Sequence, residues 1–157
     1  MALQLNDLKI TPRVGAYVYM PNVQQPHNCV VSSNQATALK AGDIVTVDTS
    51  VANAHCPVIK KAAVTDPIFG VIPSDVRKNS YVAGEKVAVA IEGSYVYFTA
   101  AKAITAGADL YFDSNGQVTP TATAGNSIVG IANTSAAAKD DFVQVKLKFA
   151  TTEAGEG

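Results

Sequence analysis

The sequence predicts an all-β fold, a small β-barrel with one short helix and an extended N-terminal arm. The main evidence is the alternation of apolar and polar residues, which is clearest in residues 141–149, where Val143 and Val145 belong to one face. A helix would spread these apolar residues around its whole surface. Glycine interrupts two other apolar runs, at Gly70 and Gly130. Because an interior glycine marks a bend or a close backbone contact, these strands suit a curved barrel.

Short turns separate the predicted strands. Ala-Gly pairs precede three alternating segments. We expect a hairpin between residues 109–113 and 117–120, because Asn and Gly in the connecting turn tolerate positive φ. A second hairpin is expected in residues 85–99, with its turn at Gly93.

One segment has the features of a short helix. Residues 99–107 contain four alanines, with Thr99 as a candidate N-cap and Gly107 as a candidate stop. This helix would span about two turns.

An internal similarity relates residues 42–72 to residues 107–132. Each stretch contains a glycine-led turn, a strand, an Asp-led turn and an apolar-Gly-apolar run. Either a duplication or a repeated use of the same turn chemistry explains this order, and the residues leave both explanations open.

The chain divides into three predicted parts. Residues 1–38 contain three prolines without clean periodicity, which predicts an N-terminal arm that could contribute edge strands. Residues 39–149 form the barrel domain. Residues 150–157 are polar and glycine-rich, which predicts a flexible tail.

Composition narrows the class of function. The chain has 157 residues, enough for one domain, a net charge of −1 and only 16% charged residues. A weakly charged exterior favours contact with other protein chains. Lysine and arginine are scattered, so we expect no nucleic-acid partner. No apolar stretch is long enough to span a membrane, and the first residues lack signal-peptide features, so synthesis in the cytosol is expected.

Two histidines and two cysteines form the only candidate metal or nucleophile cluster. The pairs are His27 with Cys29 and His55 with Cys56. Their spacing differs from that of structural zinc sites, and adjacent strand residues face opposite ways. We therefore expect no metal and no cofactor, while a disulfide between the two cysteines stays open if their strands pair. The sequence also lacks a nucleophile elbow, a phosphate loop and a dinucleotide fingerprint, so we expect no enzyme.

Four aspartates, Asp43, Asp48, Asp109 and Asp113, lie at strand ends beside small or polar residues. Carboxylates at such positions usually accept hydrogen bonds from nearby backbone N–H groups, which stabilises the turn. A Ca²⁺ site at these turns is the alternative.

The candidate interaction residues are tyrosines and alanines on predicted strand faces. Tyrosine pairs often anchor protein interfaces, and alanine faces permit close approach of a second subunit. A carbohydrate-binding platform is the competing interpretation of the tyrosines. The predicted interface residues are Tyr17, Tyr19, Cys29, Ala88, Ala90, Tyr95 and Tyr97.

The order of these turn and strand cassettes resembles a known family. Between residues 39 and 148 the chain reads "AGDIVTVD", "IFGVI", "AGEKVAVAIEGSYVY", "AGADLYFDSNGQVTP" and "GNSIVGIANTS". This order is similar to that of the capsid decoration, or cement, proteins of tailed bacteriophages. One departure is Ala108, which separates the third Ala-Gly pair from Asp109, and the resemblance does not extend to residues 1–38.

The resemblance implies a β-barrel or β-tulip, commonly a homotrimer, on the outer surface of the phage head. Such proteins bridge neighbouring major capsid protein subunits and have no enzymatic role. The arm with Tyr17, Tyr19 and Cys29 would then contact the capsid, and the faces with Ala88 or Tyr95 would contact other copies. The rival functions are a fibre-base or glycan-binding module, and a hydrolase or metal protein using the His and Cys residues.

Overall fold

Strands account for all the regular secondary structure that we observe. The computed structural model describes residues 12–18, 27–53 and 55–151. Within these residues no helix is present, and accordingly none that is long and apolar enough to cross a membrane. The strands are β1 (His27–Val31), β2 (Leu39–Lys40), β3 (Ile44–Val47), β4 (Val58–Lys61), β5 (Gly70–Val71), β6 (Ser80–Tyr81), β7 (Lys86–Val89), β8 (Tyr95–Thr99), β9 (Asp109–Phe112), β10 (Val118–Thr119), β11 (Ser127–Ala132) and β12 (Phe142–Thr151).

Two five-stranded sheets contain most of these strands. The first has the order β5-β3-β4-β1-β7, and the second has the order β10-β9-β11-β12-β8. The strands β2 and β6 form a separate two-stranded pair. Neighbouring strands are antiparallel except for β1 and β4, which are parallel.

A single bridge closes each sheet into a barrel-like ring. In the first sheet, Val71 and Ala90 exchange backbone hydrogen bonds of 2.9 Å in both directions, which joins β5 to the end of β7. In the second sheet, a parallel bridge joins Ala100, just after β8, to Val118 of β10. The prediction of an all-β barrel is confirmed.

The two sheets are copies of one structural unit. Because each sheet closes into a ring, the second order can also be read as β11-β9-β10-β8-β12, and each of its strands then has a counterpart at the same place in β5-β3-β4-β1-β7. The bridge between β8 and β10 is parallel, as is the corresponding pair of β1 and β4. The small pair of β2 and β6 also has a counterpart, the antiparallel bridge between Ile104 and Ala136. We call β1, β3, β4, β5 and β7 repeat 1, and β8 to β12 repeat 2.

The strand register agrees at the level of single residues. Val45 lies opposite Gly70 in repeat 1, and Leu110 lies opposite Gly130 in repeat 2. The turn before each of these strands is also equivalent. The N–H of Gly42 donates to the carbonyl of Ile72 at 2.8 Å, and the N–H of Gly107 donates to the carbonyl of Ala132 at 2.7 Å. The internal similarity in the sequence is therefore a repeat in three dimensions.

The turn after the second strand of each repeat differs in length. Asp48 N–H donates to the Val58 carbonyl at 2.8 Å, and Asp113 N–H donates to the Gln117 carbonyl at 2.9 Å, so these turns occupy equivalent places. Residues 49–57 connect the first pair, whereas only residues 114–116 connect the second. The predicted hairpin of residues 109–120 is confirmed, although only its glycine has positive φ.

Two sequence predictions are wrong. Residues 99–107 form no helix, because Ile104 pairs with Ala136 through two backbone hydrogen bonds of 2.9 Å and is held in an extended conformation. Residues 85–99 form no hairpin, because β7 pairs with β1 of repeat 1 whereas β8 pairs with β12 of repeat 2. The turn at Gly93 thus connects the repeats instead of pairing two neighbouring strands.

The hydrophobic core unites the two repeats. One cluster combines buried residues of both, among them Ile44 and Val71 with Phe98 and Leu110. A second cluster fills the interior of repeat 1 and includes Cys29. Strand β1 lies within residues 1–38 and is paired on both edges, so this part of the predicted arm belongs to a sheet.

Glycines at equivalent places permit the closest strand contacts. A Cβ atom at Gly130 would lie 2.2 Å from the carbonyl oxygen of Lys146, and one at Gly70 would lie 2.6 Å from that of Ala90. We expect Gly70→Ala and Gly130→Ala each to lower the free energy of unfolding by about 2 kcal/mol or more, because the neighbouring backbone must move. Denaturant unfolding of the purified variants measures this loss.

The matched control is Gly84→Ala. Gly84 has φ of +83°, and a Cβ atom added to it would have no other atom within 4 Å, so its substitution costs only the left-handed conformation, about 1 kcal/mol. If the two crowded glycines tolerate alanine as well as Gly84 does, close strand contact does not limit the fold.

Candidate interaction surface

Aromatic side chains protrude from the outer face of repeat 2. Tyr97 and Phe142 pack edge to face, with ring centroids 6.4 Å apart and an angle of 89° between the planes. The Tyr97 hydroxyl accepts a hydrogen bond of 3.2 Å from the Gln144 side chain, which fixes the tyrosine ring. Phe142 is 41% exposed, although it is a large apolar residue. We call Tyr95, Tyr97 and Phe142 the aromatic ridge.

Alternation along two paired strands produces the aromatic ridge. In β8, Val96 and Phe98 are fully buried, so Tyr95 and Tyr97 face outward as predicted from their spacing. Phe142, the first residue of β12, was not among the predicted interface residues. Its neighbour Val143 is buried, and the alternation of this strand extended by one residue would have placed Phe142 on the outer face.

A recess lies on the outer face of repeat 1, where β1 begins. Its volume is about 450 Å³. Its floor comes from β1 and β7, and its wall comes from the long turn between β3 and β4. We call this recess the β1 groove; the described residues that line it are Asn28, Cys29, Val30, Asn53, His55, Cys56 and Lys86.

The aromatic ridge and the β1 groove occupy equivalent faces of the two repeats. Asn28 lies opposite Ala88 in repeat 1, and Tyr97 lies opposite Gln144 in repeat 2. The adjacent outward position on β7 is Lys86, which corresponds to Phe142. At two positions of this face, aromatic residues of repeat 2 therefore stand where repeat 1 has polar ones, whereas Ala88 corresponds to the polar Gln144.

A buried carboxylate holds the start of the long turn that forms the groove wall. Asp48 is 2% exposed and accepts hydrogen bonds of 2.6 Å from the hydroxyls of Ser32 and Ser50. The Lys60 ammonium lies 3.7 Å from the same carboxylate. These hydroxyl hydrogen bonds, that of Ser32 first, hold the pKa of Asp48 well below its usual range because they stabilise its charged form.

Turn stabilisation, as predicted for the aspartates, is observed at three of the four positions within the described residues. Asp43 accepts a hydrogen bond from the Lys40 N–H at 2.8 Å, and Asp48 accepts one from the Ser50 N–H at 3.1 Å. Asp113 accepts two, of which the one from Asn115 is 2.8 Å long. Asp109 instead lies at the start of β9.

The two cysteines and His55 lie near each other around the β1 groove. Cys29 is 0% exposed, and burial, together with the neighbouring Cys56, raises the pKa of its thiol to about 12. Such a thiol stays protonated at neutral pH and is a poor nucleophile. Neither cysteine is in a disulfide. Among the described residues, no group of three or more His, Cys, Asp or Glu side chains could hold a metal ion. The side chain of His27 lies outside the described residues.

The segment that carries Tyr17 pairs with β8 on the edge away from β12, ahead of the ring-closing bridge at Ala100. Tyr97 N–H donates to the Ala16 carbonyl at 2.9 Å, and Val18 N–H donates to the Tyr95 carbonyl at 2.9 Å. Tyr17 is half-buried, its hydroxyl has no hydrogen-bond partner among the described residues, and burial raises its pKa. Tyr19 lies outside the described residues.

The two predicted interface alanines, Ala88 and Ala90, differ in their exposure to solvent. Ala88 is exposed and adjoins the β1 groove, whereas Ala90 is 0% exposed in the core. The intervening residue Val89 belongs to the cluster inside repeat 1, whereas Ala90 belongs to the cluster shared by the two repeats, so Ala90 is buried on the opposite side of the strand by that shared core. Ala90 is therefore not available for a surface contact, and Cys29 is likewise buried.

A further cavity of about 320 Å³ lies between the repeats. Apolar residues, including Ile44 and Phe112, line it, and the ion pair of Asp43 with Lys61, 3.3 Å long, lies at its edge. None of its described lining residues is a histidine or a cysteine.

The fold and these surfaces define a small all-β barrel protein that exposes the aromatic residue Phe142 on one face. A family model of phage cement proteins matches residues 23–147, most of the chain, and the chain therefore belongs to the phage cement protein family. The resemblance noted from the sequence is confirmed. The protein is a structural protein of the phage virion.

A solved structure also aligns with this chain. The N-terminal base of the head fibre gp8.5 of bacteriophage phi29 has a TM-score of 0.48 and 16% sequence identity with it. The alignment covers 77% of this chain and 91% of that one. Comparison with curated proteins finds no match.

The Asp48 carboxylate predicts a loss of stability in acid. Its pKa is lower in the folded protein than in the unfolded chain, so its stabilisation is complete above the unfolded value of about 3.9 and disappears as the pH falls below it. We expect Asp48→Asn to be less stable than the native protein at pH 7 but to lose less stability between about pH 5 and pH 2.5.

Urea unfolding at several pH values measures both effects. The matched control is Asp113→Asn at the equivalent turn of repeat 2, which leaves Asp48 intact and therefore keeps its contribution to the acid loss. Parallel stability curves for the native protein and Asp48→Asn would contradict this assignment.

Proposed function

We propose that the protein binds the outer surface of the phage head as a homotrimer and stabilises it by bridging major capsid protein subunits. The observation that carries this proposal is the cement family match over residues 23–147. The role is mechanical, so it requires neither a cofactor nor catalysis. In this proposal, the protein is made in the cytoplasm of the bacterial host and joins the virion there.

The physical properties of the surface support this role. Only 16% of the residues are charged, and aromatic side chains protrude from a rigid sheet. Aromatic anchors of this kind provide contact area with little loss of side-chain entropy. The barrel geometry also resists deformation, because the sheets are closed by bridges at Ala90 and Ala100.

Simultaneous contacts of one oligomer with several capsid subunits explain how a small protein could stabilise the phage head. A trimer that touches the capsid at three places converts the second and third contacts into intramolecular events, which raises the overall affinity by about 10²–10⁴. The segment with Tyr17 and the adjoining residue Tyr19 are the proposed capsid-contacting region. The thiol of Cys29 is buried and therefore makes no contact of its own with the capsid in this proposal.

Purified protein mixed with undecorated heads tests the proposal. We expect the protein to co-sediment with heads up to a saturating ratio, and the decorated heads to rupture at a higher temperature than bare heads. Protein without heads and heads without protein are the controls. Absence of co-sedimentation, or binding that leaves the rupture temperature unchanged, would contradict the proposed stabilising role.

A further inference from the structure

The equivalent outer faces of the two repeats have opposite shapes. At the same position of the sheet, repeat 2 presents Tyr97 and Phe142, whereas repeat 1 presents Asn28 and Lys86. The first face presents a large apolar side chain to solvent, since Phe142 is 41% exposed. The second face is recessed and holds the β1 groove of about 450 Å³.

We propose that the aromatic ridge of one copy docks in the β1 groove of a second copy. The size of the groove is sufficient, because a cavity of roughly 150 Å³ already accepts a benzene ring. Ala88, beside the groove, has a small side chain and leaves room for the approaching sheet. The partner is thus a second copy of this chain, and the contact joins two different surfaces.

The chemistry of the two surfaces is complementary. Lys86 is exposed and has no ion pair among the described residues, so its ammonium can face an aromatic ring of the ridge. The side-chain amide of Asn28 provides a donor and an acceptor for tyrosine hydroxyl groups, and that of Asn53 provides its N–H donors, since its Oδ1 already accepts from the N–H groups of His55 and Cys56. Within the ridge, the edge-to-face packing of Tyr97 on Phe142 keeps both rings in place before docking.

The geometry of such a contact favours a closed ring. Each copy has one ridge and one groove on different repeats, so the contact is heterologous, and heterologous contacts close into cyclic oligomers when the rotation permits. The inference rests on the self-association in the proposed function but not on binding to the head. It identifies which surfaces meet in the homotrimer.

Sedimentation velocity of the purified protein over a range of concentrations tests the docking. We expect Phe142→Ser and Ala88→Arg each to weaken self-association by at least about tenfold. Phe142→Ser removes an aromatic ring from the ridge, and Ala88→Arg places a long side chain beside the groove, where it obstructs docking. Both residues are exposed, and circular dichroism confirms that each variant is folded. Val76→Ser is the matched control, because Val76 is 85% exposed and lies outside both surfaces.

Mixing the two variants distinguishes this contact from other modes of association. Phe142→Ser retains an intact groove, and Ala88→Arg retains an intact ridge. A 1:1 mixture is therefore expected to form dimers, which have one working contact, at concentrations at which each variant alone is monomeric. A mixture that stays monomeric, or a Phe142→Ser variant that associates like the native protein, would overturn the proposal.

Head binding is measured on the same samples, so the two proposals can fail separately. Native protein that is monomeric at all concentrations but still co-sediments with heads would overturn the ridge-and-groove contact and leave head binding intact. Native oligomers that dissociate in the variants but never bind heads would support the contact and contradict the proposed function.

Discussion

Close approach of two backbones is the constraint on which both barrels depend. Where β11 passes β12, and where β5 meets the end of β7, the distance leaves no space for a Cβ atom on the first strand. Glycine at positions 70 and 130 makes this approach possible. The close approach allows each ring of strands to curve tightly. The interior of each small barrel is then narrow enough to be filled by valine, leucine and phenylalanine side chains. The shared core joins the two rings into one body.

The two repeats keep their hydrogen-bonding pattern and differ in what they present to solvent. The turn after Asp48 is longer than the turn after Asp113, and it supplies the wall of the β1 groove. At two equivalent strand positions, the polar residues Asn28 and Lys86 of repeat 1 are replaced by Tyr97 and Phe142 in repeat 2. Variation of exposed residues and loop lengths has little effect on the core, so a repeated scaffold can acquire two unlike surfaces. For a structural protein of the virion, unlike surfaces permit directional contacts between copies and with other proteins.

The class of fold was predictable because exposed and buried residues alternate strictly in strands such as β12 and β8. Pairing between strands was less predictable. The sequence around Gly93 is typical of a hairpin turn, but the strands on either side of it, β7 and β8, pair with β1 and β12 instead of with each other. Local sequence carries no information on pairing between segments that lie far apart in the chain. The alanine-rich segment around Ile104 has helical propensity, yet two backbone hydrogen bonds to Ala136 override it. In the candidate surface, the outward tyrosines followed from alternation, whereas the burial of Ala90 depends on the core shared by the two repeats, which the local sequence does not show.

The location and contacts of the protein on the head test the central claim most directly. A cryo-electron microscopy reconstruction of heads incubated with saturating protein would show both at once. The account predicts density for the β-barrel on the outer surface, with each oligomer touching at least two neighbouring capsid subunits. Heads that show no added density, or density confined to a single capsid subunit, would contradict the claim that this protein is a bridge.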